Sequence, residues 1–67
     1  MKIISIDYEE KKVEIEKAIL FVIESDEIWI PISEIRDDDE DNKIVTIPVW
    51  LADKNNIDYL KECVEED

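Results

Sequence analysis

Over residues 2–8 the side chains alternate, with Ile4, Ile6 and Tyr8 on one face and Ile3, Ser5 and Asp7 on the other. That period of two predicts a half-buried strand. Four charges follow, Glu9-Glu10-Lys11-Lys12, and read as a tight turn. Alternation returns at Val13 and carries Ile15, Lys17, Ile19, Phe21 and Ile23 on one face, while Ala18, Leu20 and Val22 fill the other. One long bent strand over residues 13–23, wet at its start and apolar on both faces at its end, accounts for the change. A helix over residues 9–24 is the competing reading.

The densest apolar segment spans residues 18–32, AILFVIESDEIWIPI. Its β-branched and aromatic side chains fit a pleated sheet better than a helix. It predicts two antiparallel strands joined by a loop at Ser25-Asp26, with Pro31 at a strand end because it cannot donate a ladder hydrogen bond. Ser33 is placed to cap a single helical turn that tucks Ile35 inward. Residues 43–47 predict a fourth strand that Pro48 closes, and Pro48 can equally begin a helix over residues 48–54. Asn55-Asn56 ends that helix. Ile57, Leu60 and Val64 then recur at helical spacing, beside Tyr59 and Cys63, and predict a second short helix.

The fold class expected is therefore α+β: a small curled, barrel-like antiparallel sheet of about four strands, with one or two short C-terminal helices, in one domain spanning residues 1–67. At 67 residues only about 60% of the unfolded chain's surface can be buried, so stability is marginal and a large catalytic cleft is hard to house. The apolar fraction of 45% still describes a globular chain, although 42% of residues are charged. The net charge of −12 repels nucleic-acid phosphates and anionic membranes and favours basic partners. No basic, apolar leader opens the chain and no apolar run is long enough to span a bilayer, which suggests a cytoplasmic protein.

Candidate chemistry is sparse. The chain has no His and no Gly, and Cys63 is its one cysteine, so no triad, phosphate-binding loop, disulfide or ordinary zinc site can be assembled. Cys63 is expected to be a small packing residue. An enzyme is disfavoured, and no cofactor or metal is called for. In the acidic run Asp37, Asp38, Asp39, Glu40 and Asp41, the residues Asp37, Asp39 and Asp41 match positions 1, 3 and 5 of a calcium loop, but Asn42 stands where Gly is needed and Pro48 where a bidentate Glu is needed. A solvated loop is its plainest reading. Its carboxylates also resemble a phosphate backbone, since an extended chain spaces residues by ~3.3 Å against ~3.4 Å per charge on a DNA strand. Trp29 and Trp50 are either core or edge residues, or exposed anchors of a binding surface.

Three segments carry a resemblance. Lys17-Ala18-x-Leu20, Ile28-Trp29-Ile30-Pro31-x-Ser33-x-Ile35 and Ile47-Pro48-x-Trp50-Leu51-Ala52 resemble a pattern of core and turn residues in short uncharacterised proteins of phages, plasmids and prokaryotes. Ile32 replaces the usual Lys after the first Pro, and Asn replaces the usual Gly near position 55 or 56. The resemblance implies a small β-rich fold in a mobile-element setting and carries no catalytic residue across. The function expected is that of a non-enzymatic acidic binding protein, an inhibitor or nucleic-acid mimic that engages a basic site on a protein partner through residues 37–41, Trp29 and Trp50. The alternative is an assembly module pairing through a sheet edge or apolar helix face, and homo-oligomers are compatible with either.

Overall fold

The computed structural model describes residues 1–57 and 63–65. Its elements are β1 (Lys2–Asp7), β2 (Glu10–Glu14), β3 (Ala18–Ile23), β4 (Asp26–Pro31), a 3-10 turn (Ile32–Glu34), β5 (Asp37–Asp39), β6 (Ile44–Pro48), α1 (Val49–Lys54) and β7 (Val64–Glu65). The expected mainly antiparallel β architecture with a short helix is present. The strands form two sheets, however, where one curled sheet of about four strands was expected: β5-β6-β1-β7 and β2-β3-β4.

The chain changes sheet within one peptide step. The Tyr8 N–H donates to the Lys43 carbonyl at 2.9 Å, on the four-stranded sheet, and the Glu9 N–H donates to the Val22 carbonyl at 2.7 Å, on the three-stranded sheet. The charged residues 9–12 are thus not a turn: β2 begins at Glu10 and runs to Glu14. The long bent strand over residues 13–23 is also two strands. The Ile15 N–H donates to the Ala18 carbonyl at 2.9 Å and closes a hairpin there. A bulge between Lys11 and Val13 shifts the register, so that Lys11 lies opposite Phe21 and Val13 opposite Leu20. The bulge inverts the face on which Val13 stands, which uninterrupted alternation cannot anticipate.

The hairpin expected between the next two strands is present one residue earlier than its predicted loop. Glu24 and Ser25 form the two-residue connection, both left-handed at φ 50 and 69, the combination of a type I′ turn. Its register sets Ile19 against Ile30 and Phe21 against Ile28, all buried, and Leu20 against Trp29 on the opposite face. In the other sheet Ile4 faces Ile47 and Ile6 faces Val45. The inward sides of both sheets make one core, closed by Leu51, Ala52 and Ile57. Within it the Tyr8 and Phe21 rings meet edge to face at 4.8 Å, a favourable quadrupole geometry.

Helix α1 starts directly after Pro48, which stands at its N-cap in extended conformation, and buries Leu51 and Ala52. Asn56 at φ 56 ends it. The Ile57 N–H returns to the Ala52 carbonyl at 3.0 Å and the Asn56 N–H to the Asp53 carbonyl at 3.2 Å, a Schellman closure in which Asn takes the left-handed position usually held by Gly. Ile35 packs against the core as expected, but Pro31, not Ser33, precedes the 3-10 turn and no side chain caps it. The second helix expected around Leu60 lies largely outside the described residues. Its predicted end does not hold: Val64 is in β7, opposite Ile3, and Cys63 is exposed instead of packed. No helix among the described residues is long and apolar enough to cross a membrane.

Candidate functional site

The acidic run is a solvated turn only at Glu40 and Asp41. Residues 37–39 form β5 on the outer edge of the four-stranded sheet, with Asp38 in register with Val45 and Asp39 with Ile44. Because Val45 points into the core, Asp38 shares its inward side at the sheet margin, where β2 brings a cation. The Lys11 ammonium forms an ion pair with the Asp38 carboxylate and a second with Glu40 at 2.7 Å. The Tyr8 hydroxyl donates to Asp38 Oδ1 at 3.0 Å. The Lys11 ammonium also lies 5.9 Å from the Phe21 ring centroid, within reach of a cation–π attraction.

Burial opposes the charge on Lys11, yet its bonds to Asp38 and Glu40 and their negative charge prevail and raise its pKa above the ordinary lysine value. Burial, and then the bond to Asp38, pushes the Tyr8 phenol up as well. Lys11 is held as a cation and Tyr8 as a neutral donor through the neutral pH range. This cluster ties β1, β2 and β5 together.

The next turn holds itself. Asp39 accepts from the Asn42 backbone N–H at 3.2 Å and from its side-chain amide at 2.8 Å, and those bonds lower the pKa of Asp39. Of the five acids singled out, Asp38 and Asp39 thus have structural partners, Glu40 is exposed while bonded to Lys11, and Asp37 and Asp41 are exposed. Among the described residues no three Asp, Glu or Cys side chains converge in a metal-binding arrangement.

The tryptophans stand apart on separate elements. Trp50 lies on α1, which packs against β1 and β6, and is 46% exposed. Trp29 lies on β4 and is also 46% exposed. It ends a row that crosses the three-stranded sheet, Val13 on β2, Leu20 on β3 and Trp29 on β4. Leu20 and Val22 are buried but lie outside the core cluster, so they belong to the outer face of the sheet. The salt bridge from Lys12 on β2 to Glu27 on β4, 3.4 Å long, joins strands that are not neighbours and therefore spans β3 at Val22. Beyond that bridge the outer face is apolar and open: Val13 is 44% exposed, and Ile15 opposite Ala18 is exposed too.

Lys11 and Tyr8 do not stand out in the sequence as partners, because the charges at residues 9–12 carry the pattern of a turn. The sequence does register that Ala18, Leu20 and Val22 leave the strand apolar on both faces, the one signal of a second apolar surface. The chain matches no protein-family model, and no curated protein or solved structure is significantly similar to it.

Proposed function

We propose that this chain is a non-enzymatic acidic binding protein that engages a basic site on a partner protein in the cytoplasm. One observation carries the reading: no charged side chain among the described residues is buried, so their excess of carboxylates, in a chain of net charge −12, is displayed on a surface that also exposes two tryptophans. Opposite charge accelerates encounter with a cationic partner, and aromatic anchors then lengthen the life of the complex. Asp37, Glu40 and Asp41 serve the first role and Trp29 and Trp50 the second. A basic site of this kind includes the nucleic-acid groove of an enzyme, which makes inhibition by mimicry the mode of action, in keeping with the mobile-element setting that the sequence resemblance implies.

Tagged protein exposed to native lysate at low salt should retain basic proteins, and double-stranded DNA or about 0.5 M NaCl should release them. Partners that survive both treatments would instead favour the assembly-module reading, which the open apolar face of the three-stranded sheet also suits.

A further inference from the structure

We infer that the outer face of the β2-β3-β4 sheet, along the row Val13, Leu20 and Trp29, is the docking surface, and that its occupant is an amphipathic segment carrying apolar side chains beside Lys or Arg. The inference rests on the binding-protein reading above and gives it a place and a partner chemistry. The row lies across three strands in direct register. Its middle residue is buried and its ends are half exposed, so Val13 and Trp29 offer apolar contact on either side of a filled centre. Ile15, opposite Ala18 beside the row, extends the apolar area. Solvated apolar area of this kind is stabilised by a cover.

Charge identifies the cover. Between Glu9 and Pro31 seven carboxylates stand against three lysines, and Lys11 and Lys12 are already ion-paired with Asp38 and Glu27. Glu10, in register with outward-facing Val22, and exposed Glu16, between β2 and β3, therefore edge the surface with negative charge. A second copy of this chain would bring its own acidic edge against that one in a self-complementary interface, whereas a cationic segment matches it. Its apolar side chains lie on the row and its cations reach the glutamates, which fixes both register and sign.

The test uses the full chain with Trp50→Phe, so that Trp29 is the single tryptophan, and a synthetic helical peptide with Leu on one face and Lys on the other. Two control peptides exchange Leu for Ser or Lys for Glu. The Leu/Lys peptide should bind saturably and shift Trp29 emission to the blue, and both controls should bind weakly. Val13→Ser with Trp29→Ser, read with a labelled peptide, should weaken binding by roughly tenfold or more. Both sites are exposed, and circular dichroism with a melting curve verifies the fold of each variant.

Equal binding of the Leu/Lys and Ser/Lys peptides, indifferent to Val13 and Trp29, would overturn the docking surface while leaving the basic-partner reading in place. Failure of both cationic peptides to bind would overturn the two together. A dimer in sedimentation that Val13→Ser with Trp29→Ser dissolves would overturn the cationic occupant in favour of a second copy.

Discussion

The Lys11 ammonium on β2 and the Asp38 carboxylate on β5 form an ion pair that fastens the edge of one sheet to the edge of the other. Asp38 also accepts from the Tyr8 hydroxyl, so three strands meet at one carboxylate. Removing a single partner of a part-buried pair leaves the other without compensation. Asp38→Asn should lower stability by about 1–3 kcal/mol, and Asp37→Asn should lie within about 0.5 kcal/mol of the parent. Urea midpoints of the two variants decide it; equal midpoints would mean that the tie contributes nothing.

The same cluster predicts alkaline sensitivity. Tyr8 and Lys11 both have raised pKa values in the folded protein, so the unfolded chain releases these protons first. The stability they contribute is complete below the unfolded values of ~10 for both groups and is lost as pH rises through the folded ones. Urea midpoints should therefore fall from about pH 9.5 upward. In a Tyr59→Phe variant the phenolate absorbance of Tyr8 should rise above the pH at which a free tyrosine titrates. A Tyr8 titration at the free value would remove the basis of this prediction.

The Glu24-Ser25 turn holds two non-glycine residues at positive φ, a conformation that costs side chains with a Cβ. Ser25→Gly removes that cost and adds some freedom to the unfolded chain, so the net gain should be about 0.5 kcal/mol. Thermal melting against the parent measures it. A loss would indicate that the Ser25 side chain contributes more to the turn than its backbone strain takes away.

Phe21 and Leu20 are adjacent on β3 and face opposite ways. Phe21→Ala empties the centre of the core beside Tyr8 and should cost about 3–5 kcal/mol, enough to unfold a marginal domain. Leu20→Ala should cost less, about 2 kcal/mol, because its neighbours Val13 and Trp29 on the open face can collapse around the gap. The reverse order of urea midpoints would mean that the two faces have been exchanged.

A net charge of −12 on 67 residues is self-repulsive, and salt near 0.15 M screens separations beyond about 8 Å. The urea midpoint should rise with NaCl at constant slope. An unchanged midpoint would place most carboxylates in local pairs.

Periodicity alone determined a good deal: β1 with Ile4, Ile6 and Tyr8 inward, the hairpin of residues 18–31, β6 ending at Pro48, and a helix closed at Asn55-Asn56. In each, the identity of a side chain constrains its own backbone, through alternation, a fixed proline φ or an Asn that tolerates the left-handed region. What the chain does with residues 9–15 and 37–41 was not legible, because charged residues have no periodic signature of burial. Pairing with β3 makes residues 10–14 a strand, and pairing with β6 makes residues 37–39 one, with Glu40 and Asp41 in the turn that follows. The partition into two sheets follows from the switch at Tyr8 and Glu9 and the bulge at Lys11. The switch depends on hydrogen bonds to residues 35 and 13 positions away and the bulge on pairing with β3, whose energies no single-strand alternation contains. Exposure of Val13 and Trp29 on either side of buried Leu20 was likewise a tertiary outcome: apolar residues on both faces of β3 require two covers, and the described residues supply one.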